Sequence, residues 1–333
     1  MFRRILPVLL LLSLAAPAVS AAPAPLVVYT YGSFGQELVD DLQGAYAKRI
    51  GQPVEVRTFA DTGPLFNQLV QEKDAPRADV VVGLDSFDLP KAIRYDLLAP
   101  FKPKALAGVD RRFIFDRQYR LLPFDYGYVL FNYDSERLQD VPKSHRDLTL
   151  PKYKGKIVIE NPKTSSPGRI FLLTTIALFG EDGYLDYWRR LRPNLLTVTP
   201  GWDEAYGMYT NGEVPIVLSY GTSPVYHLLY DKTERYKALV LDGRAYAQIE
   251  GVGLVKGAAH RPAAERLIEY ILSTEFQAKI PTSQFMYPVA KKVALPEAFR
   301  VAAKVDRLLH LDEALVAEKL PIWLKAWEQV MTE

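Results

Sequence analysis

The chain has 333 residues, with 41 Lys and Arg against 39 Asp and Glu, and no cysteine. A formal net charge of +2 provides no basic field for nucleic acid. The missing cysteine excludes disulfides and the lipid-modified thiol that anchors many exported proteins.

The first segment reads as a leader, expected over residues 1–21. Arg3 and Arg4 form a basic start, Ile5 to Leu12 open an apolar run extending to about Ala16, and small residues follow. Cleavage fits after Ser20, Ala21 or Ala22. The very short basic region favours the general secretory route over twin-arginine export. The run is too short to span a bilayer, and no later stretch is long and apolar enough to do so. A soluble, free periplasmic protein is expected. The roughly 310 residues that remain exceed what one core usually handles, so two lobes are expected.

In chain order, Leu26 to Tyr31 predicts a buried strand, and Ser33 with Gln36 a capping box for a helix ending at Gly51. Val54 to Phe59, Leu65 to Gln71 and Asp79 to Leu84 continue as strand, helix and strand, the pattern of a parallel sheet. Leu121 to Phe131 is a long extended stretch suited to crossing between lobes. The alternation restarts with Lys156 to Glu160 (strand), Arg169 to Phe179 (helix, ending at Gly180), Leu195 to Thr199 (strand), Ala205 to Tyr209 (helix) and Ile216 to Ser219 (strand). Ala245 to Val255 supplies a second crossing, and the chain from Pro262 on reads as helices. Trp323 and Trp327, four apart, suit core anchors. Two crossings make a hinge with a cleft beside it. The expected fold class is α/β, two-lobed, each lobe a mainly parallel sheet flanked by helices. The expected boundaries are 25–124 for the first part of lobe I, 125–248 for lobe II, and 249–333 for the return to lobe I with the C-terminal helices.

Ligands of α/β sheets bind beyond the carboxyl ends of strands. Those ends carry Tyr31-Gly32-Ser33, Asp61-Thr62-Gly63, Asp85-Ser86, Thr164-Ser165-Ser166-Pro167-Gly168, Gly201-Trp202-Asp203 and Tyr220-Gly221-Thr222-Ser223-Pro224-Val225-Tyr226. Ser165 and Ser166 lead into a helix with Pro in its first turn, which makes either an anion site or an ordinary cap. Tyr31, Trp202, Tyr220 and Tyr226 can wall a flat cation, each well-placed ring adding on the order of 1–2 kcal/mol when desolvated. Asp61 and Asp85 either complement a positive charge or serve as turn residues. The four histidines, His145, His227, His260 and His310, show no metal-ligand spacing.

Joined to Val28-Tyr29-Thr30-Tyr31-Gly32-Ser33-Phe34, Asp79-Val80-Val81-Val82-Gly83-Leu84-Asp85, Pro123-Phe124-Asp125-Tyr126-Gly127-Tyr128, Gly201-Trp202-Asp203-Glu204-Ala205-Tyr206-Gly207 and Met286-Tyr287-Pro288-Val289-Ala290, these segments span nearly the whole mature chain. In that order the chain resembles the periplasmic thiamine-binding proteins of ABC importers. The resemblance implies a type II periplasmic-binding-protein fold that closes on thiamine, thiamine monophosphate or thiamine diphosphate, with no cofactor, no metal and no catalytic residue. It implies ligand contacts from Tyr31, Asp61, Thr62, Asp85, Ser165, Ser166, Trp202, Tyr220, Gly221, Thr222, Ser223, Pro224, Tyr226 and Phe285. The helix-start serines would take the phosphate and the aromatics the two rings. It further implies a monomer that docks on an inner-membrane permease driven by a cytoplasmic ATPase. Two positions depart from the pattern. Phe285 stands where related proteins carry Trp, and Thr62 stands where Gly is familiar. Another small cation such as a polyamine, or ferric iron, is the alternative ligand. Iron binders of this fold use an adjacent Tyr pair, whereas Tyr220 and Tyr226 are six apart. The related thiaminase uses a cysteine nucleophile, which this chain lacks.

Overall fold

The computed structural model describes residues 23–333. The leader and its cleavage site lie outside the described residues. The chain opens with β1 (Leu26–Tyr31), α1 (Gln36–Asp41), a π-turn over Leu42–Tyr46, α2 (Ala47–Ile50), β2 (Val54–Phe59), α3 (Thr62–Gln71), β3 (Val80–Asp85), α4 (Leu89–Arg94) and β4 (Leu98–Ala99). The long strand β5 (Leu121–Asp134) follows, then β6 (Ile157–Glu160), α5 (Ser166–Leu191), β7 (Leu195–Thr199), α6 (Trp202–Thr210), β8 (Ile216–Tyr220), α7 (Ser223–Tyr226) and β9 (Tyr236–Leu239). The second long strand, β10 (Arg244–Val255), leads to α8 (Arg261–Ile271), α9 (Thr274–Gln277), α10 (Ile280–Ser283), β11 (Tyr287–Pro288), β12 (Arg307–Leu309) and α11 (Glu313–Thr332).

The main strands run in the order β2-β1-β3-β10-β5-β8-β6-β7. β2, β1 and β3 are parallel, as are β8, β6 and β7, while β10 and β5 pair antiparallel with each other and with their flanking strands. Two parallel halves are thus stitched by two long crossing strands, as the sequence pattern predicts. No helix among the described residues is long and apolar enough to cross a membrane.

Strands buried on both faces read as continuous apolar runs, and each face has its own helices. Leu26 and Val28 face Leu38, Leu42 and Leu267, whereas Val27 and Tyr29 face Leu65, Phe66 and Leu69. In the other half, Ile157 and Ile159 pack with residues of α5 and α11, and Val158 with Ala205 and Tyr209 of α6. Each such buried side chain contributes about 1.5–3 kcal/mol. Trp323 and Trp327 are buried in the cluster of α5, as their spacing predicts.

Two local expectations change. The capping box at Ser33 does not form. Gly35 is the N-cap, its N–H donating to Gln284 Oε1 at 2.7 Å, and Gln36 bonds Asp40 instead. The helix expected to end at Gly180 does break there, with φ 73° and ψ 170°, but resumes and runs to Leu191. A glycine can turn the chain and let a second helical segment restart without a loop.

Candidate functional site

Loops at the carboxyl ends of β1, β2, β6, β7 and β8 converge over β10 on a cleft of about 560 Å³. Its floor is a hydrogen-bonded set of polar side chains. The Tyr31 hydroxyl donates to Glu250 Oε2 at 2.5 Å and accepts from Gln284 Nε2 at 2.7 Å. Gln248 Nε2 donates to Glu250 Oε1 at 2.8 Å, and Tyr220 Oη reaches Gln248 Oε1 at 3.3 Å. Gly83 makes the position of Tyr31 possible. It has φ +106°, and a Cβ there would lie 2.2 Å from Tyr31 Cε1.

Asp61 occupies one side wall. It is the N-cap of α3, with Oδ1 accepting from Thr62 N at 2.6 Å, while Oδ2 accepts from Trp202 N at 3.2 Å across the cleft. Beside it, Thr62 Oγ1 and Ser166 Oγ are 3.0 Å apart, and Gly63 N donates to Thr164 O at 3.0 Å. Gly63 permits this approach, since a Cβ would meet Thr164 O at 2.7 Å.

The opposite wall is aromatic. The Trp202 indole donates to Ser219 Oγ at 2.9 Å and stacks on Tyr206, centroids 4.5 Å apart and planes inclined by 17°. Behind Tyr206 lies His227, with Nε2 2.8 Å from the Tyr206 hydroxyl and Nδ1 2.7 Å from Asp231 Oδ2. Burial lowers the His227 pKa, against the pull of Asp231. Neutral His227 satisfies both partners, with Nδ1–H donating to Asp231 and Nε2 accepting from Tyr206. Tyr226, 40% exposed, meets Phe285 edge-on at the cleft mouth, centroids 5.3 Å apart.

The electrostatics have one sign. Asp61, Asp203, Asp231 and Glu250 line the cleft, and neither Lys nor Arg does so among the described residues. Desolvation raises the pKa of Asp61, opposed by its hydrogen bonds from Thr62 and Trp202. Burial first, then the neighbouring charge of Asp61, raises Asp203. Glu250 is pushed up to about 8 by burial, helped by the charges of Asp85 and Asp61 and opposed by its bonds from Tyr31 and Gln248. A cationic ligand relieves all of these penalties together.

Of the residues expected from sequence, Tyr31, Asp61, Thr62, Ser166, Trp202, Tyr220, Thr222, Ser223, Tyr226 and Phe285 border this cleft. Asp85, Ser165, Gly221 and Pro224 do not. Asp85 is fully buried, bonded to Arg169 at 2.7 Å and to the N–H of Phe87. Ser165 is buried, its hydroxyl turned toward Asp61 but without a hydrogen-bond partner. Gly221 bonds Tyr128 O through its N–H and abuts Ala303 and Leu130, and Pro224 is buried in the first turn of α7. Gln248, Glu250, Tyr206, Asp203 and Gln284 line the cleft as well, without having been singled out from sequence. Gln248 and Glu250 did leave a signal, because two polar residues at i and i+2 inside an apolar crossing strand share one face.

The chain matches the family described as bacterial extracellular solute-binding protein over residues 75–306. It is 35% identical to a thiamine-binding periplasmic protein of Brucella abortus over 319 residues, covering 94% of this chain and 93% of that one. It is 34% identical to the thiamine-binding periplasmic protein of Escherichia coli over 335 residues, covering the whole of both. A solved periplasmic thiamin binding protein superposes with a TM-score of 0.86 at 31% identity, covering 93% of this chain and 97% of that one. A ferric binding protein from Campylobacter jejuni, at 19% identity and a TM-score of 0.78, shares the fold alone. With its crossed α/β sheet and acid-lined aromatic cleft, the chain belongs to the bacterial extracellular solute-binding proteins and, within them, to the family of thiamine-binding periplasmic proteins.

Proposed function

We propose that this protein is the substrate-binding component of an ABC importer, capturing thiamine in the cleft and delivering it to an inner-membrane permease driven by a cytoplasmic ATPase. The carrying observation is a cleft with four carboxylates, a stacked Trp202–Tyr206 wall and, among the described residues, neither Lys nor Arg in its lining. Thiamine has a permanently charged thiazolium and a flat aminopyrimidine. A ring held against Trp202 or Tyr226 gains cation–π and stacking energy, and the carboxylates complement the charge. A flexible polyamine satisfies the acids but leaves the flat wall unused. For ferric iron, no group of three or more His, Cys, Asp or Glu side chains among the described residues is arranged to hold a metal ion.

In this reading residues 25–124 with the chain from 249 through α10 form one lobe and 125–248 the other, with β5 and β10 as the hinge; α11, expected to return to lobe I, instead packs on α5 of the second lobe. Contacts from both lobes are complete only in the closed form, so the ligand favours closure. The protein works as a monomer in the periplasm after its leader is removed, and catalyses nothing. Thiamine monophosphate and diphosphate enter the same cleft, with the phosphate against Ser166 and the starts of α5 and α6.

Titration of the purified protein with thiamine, followed by tryptophan fluorescence, tests the assignment. Of the four tryptophans, Trp202 alone borders the cleft, so a micromolar or tighter response is expected. Trp202→Ala should weaken binding more than tenfold. No response to thiamine, with a response to another solute, sinks the ligand; unchanged affinity in the variant removes Trp202 from the site.

A further inference from the structure

We propose that Asp61 holds the phosphate of thiamine monophosphate through a shared proton, so that the phosphate ester brings one more proton into the cleft than thiamine does. The inference rests on the thiamine reading above and adds to it the protonation state of the phosphorylated ligand.

A phosphate at this end of the cleft needs N–H or O–H groups or cations. The backbone N–H groups of Thr62 and Trp202 both already donate to the Asp61 carboxylate, at 2.6 and 3.2 Å. The Ser166 hydroxyl is engaged by Thr62 Oγ1 at 3.0 Å and Arg169 Nη2 at 3.1 Å, which leaves the buried Ser165 hydroxyl, turned toward Asp61, as the uncommitted side-chain donor of the α5 start. The cations that flank Ser166 in sequence, Lys163 and Arg169, are paired elsewhere. Arg169 is held by Asp85 and Asp88 at 2.7 and 2.9 Å, and Lys163 lies exposed against Glu328 at 2.6 Å. The chain's own carboxylate therefore sits where an anionic ligand would be received. Two anions side by side in a buried site cannot both stay ionised. A carboxylic acid donating its O–H to a phosphate oxygen turns that repulsion into a short, charge-assisted bond, and the proton comes from solvent.

The groups facing Asp61 reinforce this. Thr62 faces it from α3, Ser165 and Ser166 from α5, and Asp203 with the Trp202 N–H from α6. Glu160 of β6, Glu250 of β10 and Tyr220 of β8 each feel its charge. These groups are acidic or neutral. Burial already pushes the Asp61 carboxyl upward, against the hydrogen bonds from Thr62 and Trp202.

The test is calorimetric titration of the wild-type protein with thiamine and with thiamine monophosphate, in buffers of different ionisation enthalpy, between pH 7 and 9. The second ionisation of a phosphate monoester, near pH ~6, lies below that window. The proton counts should differ by about one, and the ratio of the two Kd values should change by up to about tenfold per pH unit, monophosphate losing ground as pH rises. Asp61→Asn, whose amide donates without titrating, should flatten the ratio against pH. Equal proton counts and parallel pH profiles for the two ligands in the wild type overturn the proposal. If thiamine itself does not bind at any pH, the ligand assignment fails first, which is a separate result. The wild-type measurement alone decides the matter should the variant fold poorly.

Discussion

At the residue scale, the cleft depends on a few positions where a single atom matters. Gly83 is one, because the Tyr31 ring lies where its Cβ would be. Gly83→Ala combines a strained positive φ with a clash, and should cost about 2–4 kcal/mol. It should also weaken thiamine binding by displacing Tyr31 from Glu250. Urea unfolding and a ligand titration check both effects, and a variant of native stability would show that Tyr31 has room to move. The same scale shows how far the sequence could be read. Tyr31, Asp61, Trp202 and Tyr226 follow strands recognisable from their apolar runs, so their placement at the cleft could be anticipated. Glu250 and Gln248 lie inside a strand, where periodicity says only which face they share, and the partner strands decide whether that face meets a cleft. Asp85 misled because a carboxylate after a strand looks the same whether it faces a ligand or an arginine 84 residues away.

At the scale of elements, the start of α5 joins the two halves of the sheet. Arg169 in its first turn reaches Asp85 and Asp88 beyond β3, and all three side chains are nearly buried. Burial pushes Asp88 up to about 6, with the nearby Arg169 opposing it and Asp85 adding to it. Arg169→Met removes the one cation from this group and leaves two buried carboxylates facing each other. A loss of about 3–5 kcal/mol is expected by chemical denaturation, because unpaired buried charge is the expensive state. A loss below 1 kcal/mol would mean that water reaches the pair. The strands and the larger helices were legible here because their apolar spacing is unambiguous. The capping box was not, because Gln284, remote in sequence, captured the Gly35 N–H that a local motif would have left free.

For the whole molecule, the acids of the cleft and its surroundings tie stability to pH. Glu250 is pushed up to about 8, and burial also raises Asp125 and Glu160. The folded chain thus keeps protons that the unfolded chain releases near pH ~4.5, so the free energy of unfolding falls as pH rises through the interval up to about 8. Carboxylates held low, such as Asp116 and Asp134, act at the acid end, where their stabilisation is lost as pH falls through their folded values. Between pH 7 and 8.5 the ligand-free protein should lose roughly 1 kcal/mol. Thermal unfolding should show Tm falling over that range, less steeply with saturating thiamine and less steeply in Glu250→Gln. A Tm that rises with pH would place Glu250 ionised in the empty cleft.

The route of the chain's last third has a practical use. β1, the first strand, packs with α8, whereas α11, the last helix, packs onto α5 in the other half of the sheet. The first strand and the last helix therefore sit on opposite sides of the cleft. A fluorescent donor fused ahead of β1 and an acceptor fused behind α11 would change separation whenever the halves move together. The protein would then serve as an optical gauge of its own ligand with no label inserted into the cleft and no loop interrupted.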